Sequence, residues 1–351
     1  MVLFRQLFDH VSSTYTYLLA DLRTREAVLI DPVFEQHTRD AALLRELELV
    51  LRYALDTHCH ADHVTGAWLM KAKLGAQVAL AKDYGAAHVD RALSDGDTIT
   101  FGAHQLEVRA TPGHTVGCLS FVSHEARMVF TGDALLVRGT GRTDFQGVSA
   151  QQLYHSIGQR LFSLPDDYLV YPAHDYEGRT VSTIGEERRY NPRIGGGARE
   201  EDFVGYMQNL GLPHPKQIDH ALPANMRSGR PMDSERPEPQ DWAPLQTTYA
   251  GLTELAPEWV ASHRDDVQIL DVRSEAEFDG QLGHLTGARL IPLDALRARA
   301  GELEPSKPWV VVCQTGRRAG MATLILKKAG FERVTSLAGG MVRWHQLGLP
   351  T

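Results

Sequence analysis

Two α/β domains are predicted: an N-terminal sandwich of two sheets with helices outside (αββα), and a smaller C-terminal domain on a parallel sheet. Three observations predict them. At 351 residues the chain is too long for one ordinary core. The first half holds two long β-rich stretches, each with helices, which suits two sheets packed face to face. Beyond a proline-rich interruption, strand and helix signals alternate over the last ~100 residues, as in a parallel sheet. The domains are placed at residues 1–229 and 250–351, with a linker over 230–249.

Residues 14–20 and 26–30 read as paired strands, stopped by Asp31-Pro32. Residues 41–49 have helical spacing, with leucines at 43, 44 and 47. A strand over 50–55 feeds a histidine-rich loop, and residues 66–74 read as the helix after it. Short strands are expected at 77–81, 98–101, 105–110, 118–123 and 128–131, then a helix over 151–161 and a strand over 168–171. Prolines at 231, 237, 239 and 244, among charges and few large aliphatics, mark the linker. Beyond it come a helix over 252–263, a buried strand over 267–272, a helix over 293–300, a strand over 309–312, a helix over 318–329 and a strand over 334–337.

Composition narrows the function. Hydrophobic residues at 43% and charged residues at 23% describe a soluble globular protein. No apolar run approaches the ~18 residues of a membrane span, and the first residues lack a signal-peptide pattern. A net charge of −8 without a basic cluster argues against nucleic acid. Three scattered cysteines (Cys59, Cys118, Cys313) exclude a disulfide framework and fit a reducing, cytoplasmic setting.

The 16 histidines need an account. Thr57-His58-Cys59-His60-Ala61-Asp62-His63 gathers three imidazoles and a carboxylate directly after a strand, a donor mixture suited to a divalent first-row metal. If His58 and His60 lie on extended backbone, they point the same way and Cys59 points opposite. Further donors follow strands in the same manner: His114 in Thr111-Pro112-Gly113-His114-Thr115, Asp133 in Thr131-Gly132-Asp133, and His174 in Tyr171-Pro172-Ala173-His174-Asp175. Spacing alone does not separate one metal from two.

The order of these residues resembles the metallo-β-lactamase fold, from Thr14 to about Arg227. Thr57–His63, the segment Thr131-Gly132-Asp133 through Gly139-Thr140-Gly141-Arg142-Thr143-Asp144-Phe145-Gln146, and Pro223-Ala224-Asn225-Met226-Arg227 are similar to the persulfide dioxygenases. That resemblance implies one Fe(II) in the N-terminal domain, held by His58, His114 and Asp133, with positions open for O₂ and a substrate sulfur. It assigns His60, Asp62, His63 and His174 to orienting those ligands or facing substrate. It also implies that Arg142 and Tyr176 hold glutathione, the arginine through its bidentate fork. The implied substrates are glutathione persulfide and O₂, and the products sulfite and glutathione. The alternative is a dinuclear-zinc thioester hydrolase of the glyoxalase II kind. Cys59, where hydrolases usually carry a histidine, and Gly141–Phe145 weigh against it.

In the second domain, Cys313-Gln314-Thr315-Gly316-Arg317-Arg318 places a cysteine between a buried strand and a helix. Converging backbone N–H groups and the positive charge of Arg317 and Arg318 should lower the Cys313 pKa and favour a nucleophilic thiolate. With Leu270-Asp271-Val272-Arg273, Gly283–Ala288 and Leu337–Trp344 in order, this stretch resembles the rhodanese sulfurtransferases. Asp271, Arg273 and Glu277 read as pairs that hold the fold. The resemblance implies sulfane-sulfur transfer through Cys313 among glutathione persulfide, sulfite and thiosulfate. Gln314 in place of the frequent arginine, and the extra Arg317, depart from the pattern, and the alternative for this domain is a rhodanese-like sulfur-carrier or interaction module.

Overall fold

Every side chain of the strand Thr14–Asp21 is buried, which requires cover on both faces of its sheet. The computed structural model describes residues 2–144, 148–213, 215–232 and 242–351. The chain divides into two units, residues 1–236 and 237–351.

In the first unit, one sheet runs in the order β1 (Val2–Asp9), β2 (Thr14–Asp21), β3 (Glu26–Ile30), β4 (Val50–Leu55), β5 (Gln77–Ala81), β6 (Arg91–Leu93). The first three strands are antiparallel and the last four parallel. The second sheet comprises β7 (Thr98–Phe101), β8 (His104–Ala110), β9 (Leu119–Ser123), β10 (Met128–Gly132), β11 (Leu169–Pro172) and β12 (Ser182–Thr183), in order β12-β11-β10-β9-β8-β7. Alternation along β2 assigns its faces: Tyr15, Tyr17 and Leu19 meet Phe121 and Phe130 between the sheets. Leu18 and Ala20 pack outward with Leu43, Leu44 and Met70, from the helices His37–Glu46 and Ala67–Leu74. On the other side, Val122, Val129 and Val170 lie under Leu153 and Phe203, from the helices Ala150–Ser156 and Glu200–Gln208. The αββα layering expected from the sequence is present.

The second unit carries one sheet in the order β13 (Gln246–Thr247), β14 (Thr253–Leu255), β18 (Val334–Leu337), β17 (Trp309–Val312), β15 (Gln268–Asp271), β16 (Arg289–Leu290), parallel except for β13. Helices Leu293–Arg299 and Arg317–Lys328 cover one face, and Pro257–Ser262 and Gly340–Gln346 the other.

Several expectations need correction. The helix expected over 252–263 is β14 followed by a helix starting at Pro257. Proline cannot accept an interior helical position and biases Ala256 toward extended backbone, here at ψ 137. The helix expected over 41–49 is His37–Glu46, and that over 151–161 turns from α to π at Ile157. The linker read over 230–249 ends earlier, because β13 pairs with β14 and Ala243 is buried in the second unit's core. Residues 233–241 of that stretch lie outside the described residues. Strand β1 and the helices Ile184–Tyr190, Glu200–Gln208, Ile218–Asn225 and Gly340–Gln346 went unread in the sequence. Among the described residues no helix is long and apolar enough to cross a membrane.

Candidate functional site

Strands β3, β4, β8, β10 and β11 lead into Asp31, His58, His114, Asp133 and His174. The two sheets meet along that edge: Tyr15 N–H donates to the Ala173 carbonyl (2.7 Å), and Leu119 N–H to the Thr57 carbonyl (2.8 Å). Between residues 56 and 63 the backbone is not a strand, contrary to the extended reading, yet the His58 and His60 rings lie side by side with centroids 4.0 Å apart. Asn225 holds this loop in place. Its amide donates to the carbonyls of His60 and His63 (both 2.9 Å) and accepts from Thr65 N–H (2.8 Å).

The donor atoms of His58, His114 and Asp133 lie within 4.8 Å of one another, and hydrogen bonds decide which atom each presents. Thr57 donates its hydroxyl to Asp31 Oδ2 (2.9 Å), so it offers His58 Nδ1, 3.0 Å away, a lone pair. His58 Nδ1 therefore carries the proton and Nε2 keeps its lone pair. His114 Nδ1 lies 2.8 Å from the Arg142 carbonyl, which only accepts, so Nε2 is again the available atom. Asp133 takes His174 Nδ1–H on Oδ1 (2.7 Å), and its Oδ2 faces His114 Nε2 at 3.6 Å. Two neutral imidazole nitrogens and one carboxylate oxygen could hold a divalent first-row cation and leave coordination positions open. Burial, reinforced by His60, keeps the His58 pKa well below the ordinary histidine range. Burial would raise the Asp133 pKa, but His174, His58 and His114 outweigh it and hold the group ionised. Cys59 and Cys118 are pushed by burial up to about 12, which leaves both as neutral thiols rather than ligands.

His60 goes elsewhere: its Nε2 reaches Asp31 Oδ1 (3.2 Å), and its Nδ1 has no hydrogen-bond partner among the described residues. It groups instead with Asp62, His63 and His174. His174 lies between two carboxylates, with Nε2 on Asp62 Oδ2 (2.9 Å) and Nδ1 on Asp133. Burial would lower its pKa, but the two carboxylates dominate and raise it well above the usual value.

The two residues expected to hold glutathione lie next to these donors, Tyr176 against His174 and Arg142 with its carbonyl on His114 Nδ1. Tyr176 is exposed and its ring stacks on His174 (6.1 Å, 3°). The Arg142 fork is closed on Asp144 (2.6 Å to each oxygen) and also donates to the carbonyls of Leu212 and Pro213. Phe145 and Gln146, part of the same motif, lie outside the described residues.

In the second unit Cys313 follows β17, 1% exposed, and accepts Gly316 N–H on Sγ (3.1 Å). The segment after β18 clamps its loop: Met341 N–H donates to the Cys313 carbonyl and Val342 N–H to that of Gln314 (both 2.9 Å). Gly340, at φ +58, makes this possible, since a Cβ there would lie 2.3 Å from the Cys313 carbonyl oxygen. Arg318 pairs bidentately with Glu277 (2.7 and 2.5 Å), and that contact holds the Glu277 pKa down at about 2. Glu277 thus braces the cysteine loop, whereas Asp271 pairs with the buried Arg273 as expected. Arg317 is exposed beside them. Sequence reasoning missed Thr14, Asp31, Thr57 and Asn225 as parts of the first site. Only Thr57 and Asn225 lay inside motifs already singled out.

Comparison with known proteins finds a family match in each unit. The metallo-beta-lactamase superfamily matches residues 11–174 and the rhodanese-like domain residues 256–347. The human mitochondrial persulfide dioxygenase ETHE1 is 56% identical over 229 residues, covering 65% of this chain and 89% of that protein. The crystal structure of ETHE1 from Myxococcus xanthus superposes with a TM-score of 0.63 at 50% identity, covering 65% of this chain and 100% of that one. Haemophilus influenzae hydroxyacylglutathione hydrolase GloC is 32% identical over 189 residues, 48% of this chain and 87% of that protein. The chain belongs to the persulfide dioxygenase family of the metallo-β-lactamase superfamily, and a rhodanese-like domain follows that region in the same polypeptide.

Proposed function

We propose that the first unit oxidises glutathione persulfide with one Fe(II) held by His58, His114 and Asp133, and that the second relays sulfane sulfur through Cys313. The observation that carries the first half is the trio itself, two Nε2 lone pairs and one carboxylate oxygen with His60 turned away to Asp31. Such a centre, when loaded, supplies a place for O₂ and a substrate sulfur to meet. The net change is glutathione persulfide plus O₂ plus water to glutathione, sulfite and two protons. Around it, Thr57 and the Arg142 carbonyl fix the two imidazole tautomers, and His174 keeps Asp133 oriented and ionised. Glutathione binds beside Tyr176. One of its carboxylates competes with Asp144 for the Arg142 fork.

In the second unit the Cys313 thiolate attacks the outer sulfur of thiosulfate. The S–S bond breaks with its electron pair on departing sulfite, leaving Cys313 as a persulfide. A glutathione thiolate then takes that outer sulfur and restores the Cys313 thiolate. The reverse sequence consumes glutathione persulfide and sulfite. Loop N–H groups such as that of Gly316, with Arg317 and Arg318, stabilise the anionic sulfur.

A thioester hydrolase is the second reading, because the residues of a second metal set (Asp62, His63, His174) are all present. Metal analysis with an oxygen-electrode trace on glutathione persulfide tests the proposal. About one iron per chain with O₂ uptake is expected; two zincs with thioester cleavage and no O₂ uptake overturn it. His58→Ala should abolish O₂ uptake and spare sulfur transfer, and Cys313→Ser should do the reverse.

A further inference from the structure

We propose that the Thr14 hydroxyl keeps the metal centre mononuclear by engaging the side chains a second cation would need. This rests on His58, His114 and Asp133 being the first cation site. The second group, His60, Asp62, His63 and His174, also has donor atoms within 4.8 Å of one another. Thr14 is fully buried at the start of β2, and its Oγ1 touches three of the four: His174 Nε2 at 3.0 Å, His63 Nδ1 at 3.3 Å and Asp62 Oδ2 at 3.4 Å.

The hydroxyl is held there from behind. Ser12 Oγ lies 2.7 Å from it and donates to Asp9 Oδ2 (2.7 Å), and Gln36 donates to Asp9 Oδ1 (2.7 Å). The backbone fixes the rest, because Thr14 bridges to His174 and Tyr15 N–H bonds Ala173. Around the hydroxyl the same donors bond one another: Asp62 Oδ2 accepts from both His174 Nε2 (2.9 Å) and His63 Nδ1 (3.0 Å). Among the described residues, the buried nitrogens of this group left without a hydrogen bond are His60 Nδ1 and His63 Nε2. A second cation would have to break the Thr14 contacts to gain the full set. Without the hydroxyl, a carboxylate and imidazoles face a small buried gap, and a divalent cation satisfies them.

The test is zinc stoichiometry on the full chain, stripped of metal, loaded with excess Zn(II) and dialysed. Wild type and Thr14→Ser should retain about one zinc per chain and Thr14→Ala about two. A Thr14→Ala protein at one zinc, or wild type or Thr14→Ser at two, overturns the proposal. If Thr14→Ala does not fold, Ser12→Ala decides: it releases the hydroxyl from a half-buried position, a count above one supports the proposal, and a count of one defeats it. His58→Ala, run in parallel, should hold none. If it keeps the wild-type zinc, the first-site reading is what fails. If it holds none while Thr14→Ala stays at one, only the role of Thr14 falls.

Discussion

Asn225→Ala removes three hydrogen bonds at once from the loop that carries His58 to His63. The amide is buried, its Oδ1 accepts from Thr65 N–H, and its Nδ2 donates to the His60 and His63 carbonyls. Each lost bond removes about 1 kcal/mol, and a backbone group left dry adds a desolvation cost, so the total is about 3–5 kcal/mol. For a unit of this size each kcal/mol lowers the melting temperature by about 2–4 °C, giving a fall of about 6–20 °C. Because His58 sits on the loop that Asn225 anchors, zinc affinity by chelator competition should drop about 10–100-fold. Asn225→Asp sharpens the case. It keeps an acceptor for Thr65 but sets a carboxylate oxygen against two carbonyl oxygens, so it should be at least as damaging. The assay is thermal unfolding of metal-free and zinc-loaded protein, following the transition that zinc shifts. A melting temperature within about 2 °C of wild type, with unchanged zinc affinity, would refute the clamp.

Three further predictions test separate parts of the molecule. Thr57→Val removes the lone pair that fixes the His58 tautomer and should weaken zinc binding about 10–100-fold, with Thr57→Ser restoring it; equal affinities for Val and Ser would refute the tautomer argument. Asp40 is buried, and burial, partly offset by Arg39, raises its pKa from 3.8 to about 6. Its folded-state advantage is therefore complete below its unfolded pKa and disappears as pH rises through 6. Relative to Asp40→Asn, wild type should lose about 2 kcal/mol between pH 4 and 6, and parallel melting profiles for the two proteins would contradict this. Gly340→Ala drives a Cβ into the Cys313 carbonyl at a φ that alanine resists, so sulfur transfer should fall at least about tenfold. Oxygen uptake should not change, and intact transfer would mean the clamp on the cysteine loop is dispensable.

Much of the layering was legible because burial writes a period into the chain. β3, β4, β5, β7, β17 and β18 fall where the apolar runs place them. Elements whose identity depends on distant cover were less legible. β1 lies at the sheet edge with a mostly half-buried pattern, so its residues carry a weak alternation signal. Residues 252–263 carry helix-like spacing, but the local effect of Pro257 and pairing with β18 divide them into strand and helix.

By itself the sequence determined the donor inventory: which residues bring imidazole, carboxylate or thiol, and that each follows a strand. Those facts are local, set by residue type and by the turn each strand end requires. It also carried the motifs that identify the family. Only the tertiary structure decided what each donor touches. His60 bonds Asp31, and the Glu277 carboxylate pairs with Arg318 while its backbone carbonyl accepts from Arg273. Thr14 reaches His174 across 160 residues of chain. Such partnerships depend on which loops two separate sheets bring to one edge, and no local pattern in the chain encodes a contact made between them.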